Sequence, residues 1–537
     1  WAREKVAGFY GRNGLIQEAV AMINTPGSSH PQSRFSGLTL AVVGKSGTGK
    51  TALMAKLASE MTSDQDASRP VVIRFCGTST GSLSGLDLMQ SIIMQLQLVL
   101  NLPLENMKSV NFVDTKEIFY KLVRDYPVVL FIDSLDQLSD EHSCRSRLSF
   151  LDGIVPHAQS IIVVSVLPDE IDEATNRAIK GRYYNCETLL RNTPGLGRID
   201  VPLFSNLLND GMAIVTRVLE ARKRTLTTQQ LDFLMSRFIE EPSALYLNLA
   251  ASNVACLWKS TDDVSALNLE PTVKRLVHQI LEDTETLFGK EIVRRALGFM
   301  TFSREGVSDA EMQDLMSLDD DILGQPDDYD GDKYIGSTAV VFQYDIPNIR
   351  RFPMHVWLRI RDHLQNVLVQ RRGGCFYWYH RQLWETAKER YADEKAVCHY
   401  YLGMYFSDAL QQMVRKERKI QRHFVTVKKE DQFTKLWLSS SQISNQDRLV
   451  LVNRRRCVEG YHHLISAAIL NYRDAPFFAC EVLTDFFSIL GTILSNDGYE
   501  LVKMLQGQLL ASPLFSAQGQ GVSDVNPESL EIVRHIA

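Results

Sequence analysis

The sequence has no CxxC pair among its 8 cysteines, no apolar run of the ~18 residues that would span a bilayer, and no large excess of one charge. Each absence excludes something. Cys76, Cys144, Cys186, Cys256, Cys375, Cys398, Cys457 and Cys480 are scattered without knuckle spacing, which argues against a structural zinc site. Several of them fall in apolar runs, which fits a reducing compartment and hence a cytoplasmic location. The best apolar stretch, residues 486–494, is broken upstream by Glu481 and Asp485, and no signal-peptide pattern is visible, so no membrane partner is expected. A net charge of -6 gives no overall attraction to nucleic acid. The basic runs RKERK (415–419) and NRRRC (453–457) read as solvated helix faces. No repeating Trp-Asp unit marks a propeller.

What is present is ordinary globular composition, 45% hydrophobic and 23% charged, over 537 residues, too many for one core. The chain opens on Trp1 and stops inside what reads as a helix, so a part of a longer protein is expected. Between residues 37 and 204, short doubly apolar runs (LTLAVVG, VVIRFCG, VVLFID, SIIVVSVL and RIDVPLF) alternate with longer helical periodicity, as in TALMAKLASEM and LDLMQSIIMQLQLVL. That alternation predicts an α/β domain with a parallel sheet covered on both faces. Residues 205–285 then read as helical. Residues 286–388 read as two helices around a Ser-Arg-Glu-Gly turn followed by a β-like piece, TAVVFQYDI and GGCFYWYHRQLW, the pattern of a winged helix. Residues 389–537 read as helical again, with a linker at ASPLFSAQGQGVSDVNPES. The acidic loop LDDDILGQPDDYDGD places Lys333 and Ala339 where a calcium loop needs Gly and Glu, and reads as solvated.

GKSGTGKT fits G-x-x-x-x-G-K-[ST]: Gly44, Lys45, Ser46, Gly47, Thr48, Gly49, Lys50 and Thr51, with Ala52 following on the helix. Its glycines let the backbone turn successive N–H groups inward on phosphate oxygens, Lys50 supplies a point charge, and the Thr51 hydroxyl suits Mg2+. A helix starting at Thr51 adds the positive end of its dipole. In VVLFIDSLDQL, Asp133 ends an apolar run and is the expected magnesium partner, while Asp136 is a candidate to polarise attacking water. Ser165, ending the next apolar run, is a weak candidate sensor of a γ-phosphate.

With these motifs in this order the chain resembles the NACHT branch of the signal-transduction ATPases with numerous domains (STAND), within the ASCE class of P-loop NTPases. GFYGRNGLIQEAV, in residues 1–36, resembles the family's aromatic-Gly-Arg motif and implies that Tyr10, Gly11 and Arg12 line an adenine pocket. SALYLNLA resembles the small helical domain's Pro-Leu motif, with Ala244 where the family has its adenine-touching proline and Pro242 two residues early. FYWYHRQLWETAKERY resembles the winged-helix segment whose histidine reaches the β-phosphate of ADP, which implies that role for His380. SREGVSDAEMQDLMSLDDDIL, YHRQLWETAKERY and NRRRCVEGYHHL resemble the NACHT and WD-repeat branch, including proteins similar to the telomerase- and vault-associated component. The resemblance implies an ATP/ADP- and Mg2+-binding switch with weak ATPase activity, homo-oligomeric on activation, with protein partners reached through flanking domains. The alternatives are a turnover ATPase that does remodelling work, with Arg145 and Arg147 as finger candidates, or a scaffold stabilised by nucleotide.

Overall fold

Runs rich in Val, Ile and Leu, buried on both faces, build the first sheet. The computed structural model describes residues 11–24, 37–63, 69–77, 84–104, 111–169, 186–203, 207–323, 352–371, 374–407 and 454–484, with isolated positions outside these runs. They divide into two units, Trp1–Leu276 and Val277–Ala537.

In the first unit, α1 (Asn13–Asn24) precedes β1 (Leu40–Val43), α2 (Lys50–Ser63), β2 (Val71–Phe75), α3 (Gly85–Val99), α4 (Phe112–Asp125), β3 (Val129–Asp133) and β4 (Ile161–Val166). A short α5 (Cys186–Arg191) leads to β5 (Gly197–Asp200). The five strands are all parallel, in the order β2-β3-β4-β1-β5. This is the parallel sheet expected, with the five strand runs where the sequence pattern puts them. Alternate strand residues point to opposite faces. Leu40, Val42, Phe131 and Val163 pack on one side with Leu53, Met54 and Leu57 of α2 and Ala19 and Ile23 of α1. Ala41, Leu130, Ile132 and Val164 pack on the other with α3 and α4. Three helices follow: α6 (Leu207–Glu220), α7 (Thr228–Phe238) and α8 (Ala244–Leu249).

The second unit is mostly helical. It contains α9 (Val273–Phe288), which begins just before the division, then α10 (Lys290–Phe302), β6 (Val307–Ser308), α11 (Asp309–Leu318), α12 (Met354–His363), β7 (Leu368–Gln370) and β8 (Cys375–Trp378). The strands pair antiparallel in the order β6-β8-β7. Gly306 turns the chain into β6 at φ +90°, and a Cβ there would stand 2.3 Å from the Phe376 carbonyl oxygen. Four helices complete the described part: α13 (Arg381–Arg390), α14 (Lys395–Phe406), α15 (Arg454–Ile469) and α16 (Ala475–Thr484). TAVVFQYDI, most of the acidic loop, RKERK and the linker lie outside the described residues. All eight cysteines are free thiols, and among the described residues no helix is long and apolar enough to cross a membrane.

Within NRRRC, Arg455 does not face solvent: its guanidinium donates to Glu311 at 2.5 Å and Glu459 at 3.3 Å and lies over the Phe406 ring. Glu311 and Glu459, from α11 and α15, converge here with Glu305, and a half-buried cation is what lets three carboxylates share one place. The sequence run shows the charge but not these partners.

The backbones of α14 and α15 nearly touch at Gly403, where a Cβ would lie 2.8 Å from the Leu464 backbone nitrogen. Gly403→Ala should therefore lower unfolding stability by about 2 kcal/mol, read as a lower denaturant midpoint at unchanged m; a wild-type midpoint refutes the close approach.

Asp319 gives a second test. It is fully buried, and its Oδ2 is 2.5 Å from Arg295 Nη1, close enough for an ion pair but with no aligned hydrogen bond. Burial pushes its carboxyl up to about 6 despite the pull of Arg295. The folded value lies above the unfolded one, so this group's contribution is full below pH ~4 and lost as pH rises through about 6. Relative to Asp319→Asn, the wild type should lose on the order of 2 kcal/mol across that window. A constant difference between the two refutes the assignment.

Candidate nucleotide site

The C-terminal ends of β1, β3 and β4 bring the site together. From β1 the chain enters the loop Gly44–Gly49 and then α2, which starts at Lys50. Gly47 and Gly49 stand at φ +81° and +92°, conformations that L side chains rarely adopt. At Gly44 an added Cβ would be 3.0 Å from the Thr48 hydroxyl and from the Val201 backbone oxygen, so the loop closes on the segment after β5 only with glycine there. Thr48 Oγ1 donates to the Lys45 carbonyl at 2.8 Å and tightens the turn. The Lys50 ammonium, largely buried, donates to the Gly44 and Lys45 carbonyls at 2.5 and 3.0 Å and so sits inside its own loop. Ser46 and Ala52 lie on the same loop and helix start.

Strand β4 lies between β1 and β3, and its Ser165 is in register with Val42 of β1. Ser165 therefore comes between the phosphate loop and Asp133. Its hydroxyl donates to Asp133 Oδ1 at 2.5 Å and accepts the Ser134 N–H at 2.8 Å. Thr51 Oγ1 donates to Asp133 Oδ2 at 2.8 Å, and the Ser134 hydroxyl adds a longer contact. Asp133 is 2% exposed. Burial raises its pKa, and the Ser165 and Thr51 hydrogen bonds and the Lys50 charge only partly offset that. The paired Thr51 and Asp133 oxygens fit Mg2+, which takes one or two protein oxygens and keeps its waters.

Asp136 is buried in the turn after β3. Its Oδ1 accepts the Leu167 N–H at 3.0 Å and its Oδ2 accepts from Gln137 Nε2 at 3.1 Å, so the carboxylate holds the loop after β4 to the turn after β3. Arg12, at φ +57°, donates to the Thr48 carbonyl and, at 2.8 Å, to the Pro202 carbonyl. Its guanidinium clamps the phosphate loop to the segment after β5. Burial lowers its pKa, and Asp210 of α6 opposes that. An added Cβ at Gly11 would be 2.9 Å from Asp210 Cγ, so Gly11 lets α6 approach this corner. Asp210 and Pro202 have no signal in the sequence, being nearly two hundred residues from Arg12. Tyr10 lies outside the described residues. Ala244 opens α8, whose N-cap Ser243 accepts the Tyr246 N–H at 3.1 Å. His380, in the second unit, is the N-cap of α13, where its Nδ1 accepts the Gln382 N–H at 3.3 Å.

Residues 40–184 match the ATPase family associated with various cellular activities (AAA). The chain is 28% identical over 396 residues to NACHT domain- and WD repeat-containing protein 1 of Mus musculus, covering 70% of this chain and 23% of that protein. The Homo sapiens protein of the same name is 29% identical over 389 residues, with the same coverages of 70% and 23%. The chain is a homologue of the NACHT and WD-repeat proteins. It spans about a quarter of the length of those two relatives. Among solved structures, domain III of the Thermotoga maritima replication initiation protein DnaA covers 52% of this chain and 95% of its own, at 16% identity and a TM-score of 0.30. The first unit of this NACHT homologue is thus a parallel-sheet P-loop NTPase domain that binds nucleotide, with helical segments after it.

Ser165→Ala removes one hydrogen bond from Asp133 and leaves the loop intact. It should weaken nucleotide affinity about tenfold in the presence of Mg2+ and change it little in its absence, in a fluorescent-nucleotide titration run both ways. An equal loss under both conditions assigns Ser165 to the fold instead.

Proposed function

We propose that this chain is a nucleotide-operated switch that holds an adenine nucleotide with Mg2+ and hydrolyses it slowly. The observation that carries the reading is the engagement of Asp136. Its two carboxylate oxygens accept from Leu167 and Gln137, so polarising a water would cost the chain the tie between its β3 and β4 turns. The holding groups would exchange local contacts for the ligand without untying the two turns: Lys50 would turn from the Gly44 and Lys45 carbonyls to the phosphates, beside the loop N–H groups, and Thr51 and Asp133 from each other to the metal. Bound Mg2+ would supply charge for the β and γ oxygens.

Gly11 and Arg12, clamped to the phosphate loop, would line the adenine side together with Ala244. We further propose that residues 205–285 act as a small helical domain, 286–388 as a winged helix and 389–537 as a helical domain. The arrangement α10, β6, α11, α12, β7, β8 with a three-stranded antiparallel sheet supports the winged helix. His380 would then be the latch. Because its Nδ1 accepts the Gln382 N–H, a neutral ring carries its proton on Nε2, the form that donates to a diphosphate. Exchange of ADP for ATP would release the latch and open the chain for self-assembly and for partners carried by flanking domains. Moving such an equilibrium from mostly closed to mostly open takes ~5.5 kcal/mol of differential affinity.

The test is the nucleotide the protein retains and the rate at which it turns over. Wild type should purify with tightly held ADP and show ATPase turnover that Asp136→Asn leaves nearly unchanged. His380→Ala should lose ADP faster, by about tenfold, and assemble more readily. Brisk turnover abolished by Asp136→Asn would instead favour a working ATPase, and wild-type ADP retention in His380→Ala would remove the latch.

A further inference from the structure

Away from the phosphate site, three imidazoles meet inside the second unit. Gly403 lets α14 and α15 come into backbone contact, and one turn earlier on α14 His399 faces His462 and His463 of α15. His399 and His463 are buried and His462 is half-buried, and one ligand atom from each lies within 4.8 Å of the others. His399 Nδ1 is 2.7 Å from His463 Nδ1, and His462 Nδ1 is 3.2 Å from the sulfur of Met504, itself buried.

The surroundings settle the protonation. His463 Nε2 is 2.8 Å from Glu459 Oε2. Glu459 is wholly buried and also accepts the Arg304 and Glu305 N–H groups and pairs with Arg455, a set of donors that suits a carboxylate. An ionised carboxylate only accepts, so the His463 proton sits on Nε2 and its Nδ1 lone pair points at His399. A neutral imidazole offers one lone pair, and the three rings place a ligand atom each within 4.8 Å of the others. A carboxylate fixing the far nitrogen of an imidazole is the arrangement that orients metal-bound histidines.

We propose that His399, His462 and His463, with the Met504 thioether, form a binding site for one d10 transition-metal ion, Zn2+ or Cu+. Three neutral nitrogens and a thioether are borderline-to-soft donors, which suit these ions and not Mg2+ or Ca2+. The cysteine spacing that argued against zinc does not bear on an imidazole set. Two nitrogens at 2.7 Å are hydrogen-bonded; sharing a tetrahedral ion at ~2.0–2.1 Å needs them about 3.3 Å apart. Binding would therefore part the rings slightly while the His399 ring proton moves from Nδ1 to Nε2. The bound ion would staple α14, α15 and the Met504 segment together.

The test uses the purified 537-residue chain, stripped with chelator. It is titrated with Zn2+ against a chromogenic chelator and, under reducing conditions, with Cu+ against a Cu+ chelator. Wild type should take up one ion per chain, with a rise in its thermal midpoint. His462→Asn, chosen because His462 is the least buried of the three, should bind at least tenfold more weakly and show no such rise. Met504→Leu, which keeps the volume, should weaken Cu+ binding by more than Zn2+ binding, because a thioether is a soft donor. Uptake by both variants equal to wild type, or no stoichiometric uptake of either ion, overturns the site and leaves a hydrogen-bonded histidine core.

Discussion

The phosphate site is organised around one constraint, the burial of the Asp133 carboxylate at the end of β3. A charge removed from water must find donors or lose its ionisation. The three that reach it come from the start of α2, the turn after β3 and the end of β4: Thr51, Ser134 and Ser165. They converge only because β4 lies between β1 and β3, so the strand order, the loop position and the acid's environment are one requirement. Arg12 completes it from outside the sheet by fixing the loop's Thr48 carbonyl.

The buried acids of the two units differ instructively. Glu459 is fully buried and yet shifted down, because two backbone N–H groups, Arg455 and His463 converge on it. Asp133 is as deeply buried and shifted up, because its hydrogen bonds and the Lys50 charge do not make good the lost hydration. The first acid has all that it needs from the protein and serves the packing of α15 against the turn before β6. The second still lacks positive charge, and a bound cation would supply it. In the proposed switch that cation is Mg2+, and neither sequence run by itself shows how differently the two acids are surrounded.

What the sequence made legible follows from locality. The strands could be read because a parallel strand covered on both faces is apolar over most of its length, as VLFI before Asp133 and IIVV before Ser165 are. The phosphate loop could be read because its chemistry lies in eight adjacent residues. Ser165 was legible as a polar residue ending a strand, but its engagement with Asp133 depends on strand order, which no local pattern encodes. Arg455 reads as solvated because its three carboxylate partners are far away along the chain or on its own helix face, and the histidine triad has no local pattern because His399 is 63 residues before His462 by their numbering. Charges and imidazoles announce their type in a sequence and their partners only in the fold.

The same locality bears on holding versus turnover. In a P-loop domain the holding groups sit on the loop and its helix, so they tolerate change elsewhere. A water activator must instead be free to move with the reacting atoms. Asp136, linked through Leu167 to the turn after β4 and through Gln137 to its own turn, is coupled to the sheet edge that carries Ser165. Freeing it would loosen the support of Asp133 at the moment the metal is needed. On the proposed reading, the acid that would hold the metal and Asp136, the candidate base, are coupled through these ties, a conflict that slow hydrolysis tolerates and rapid turnover does not.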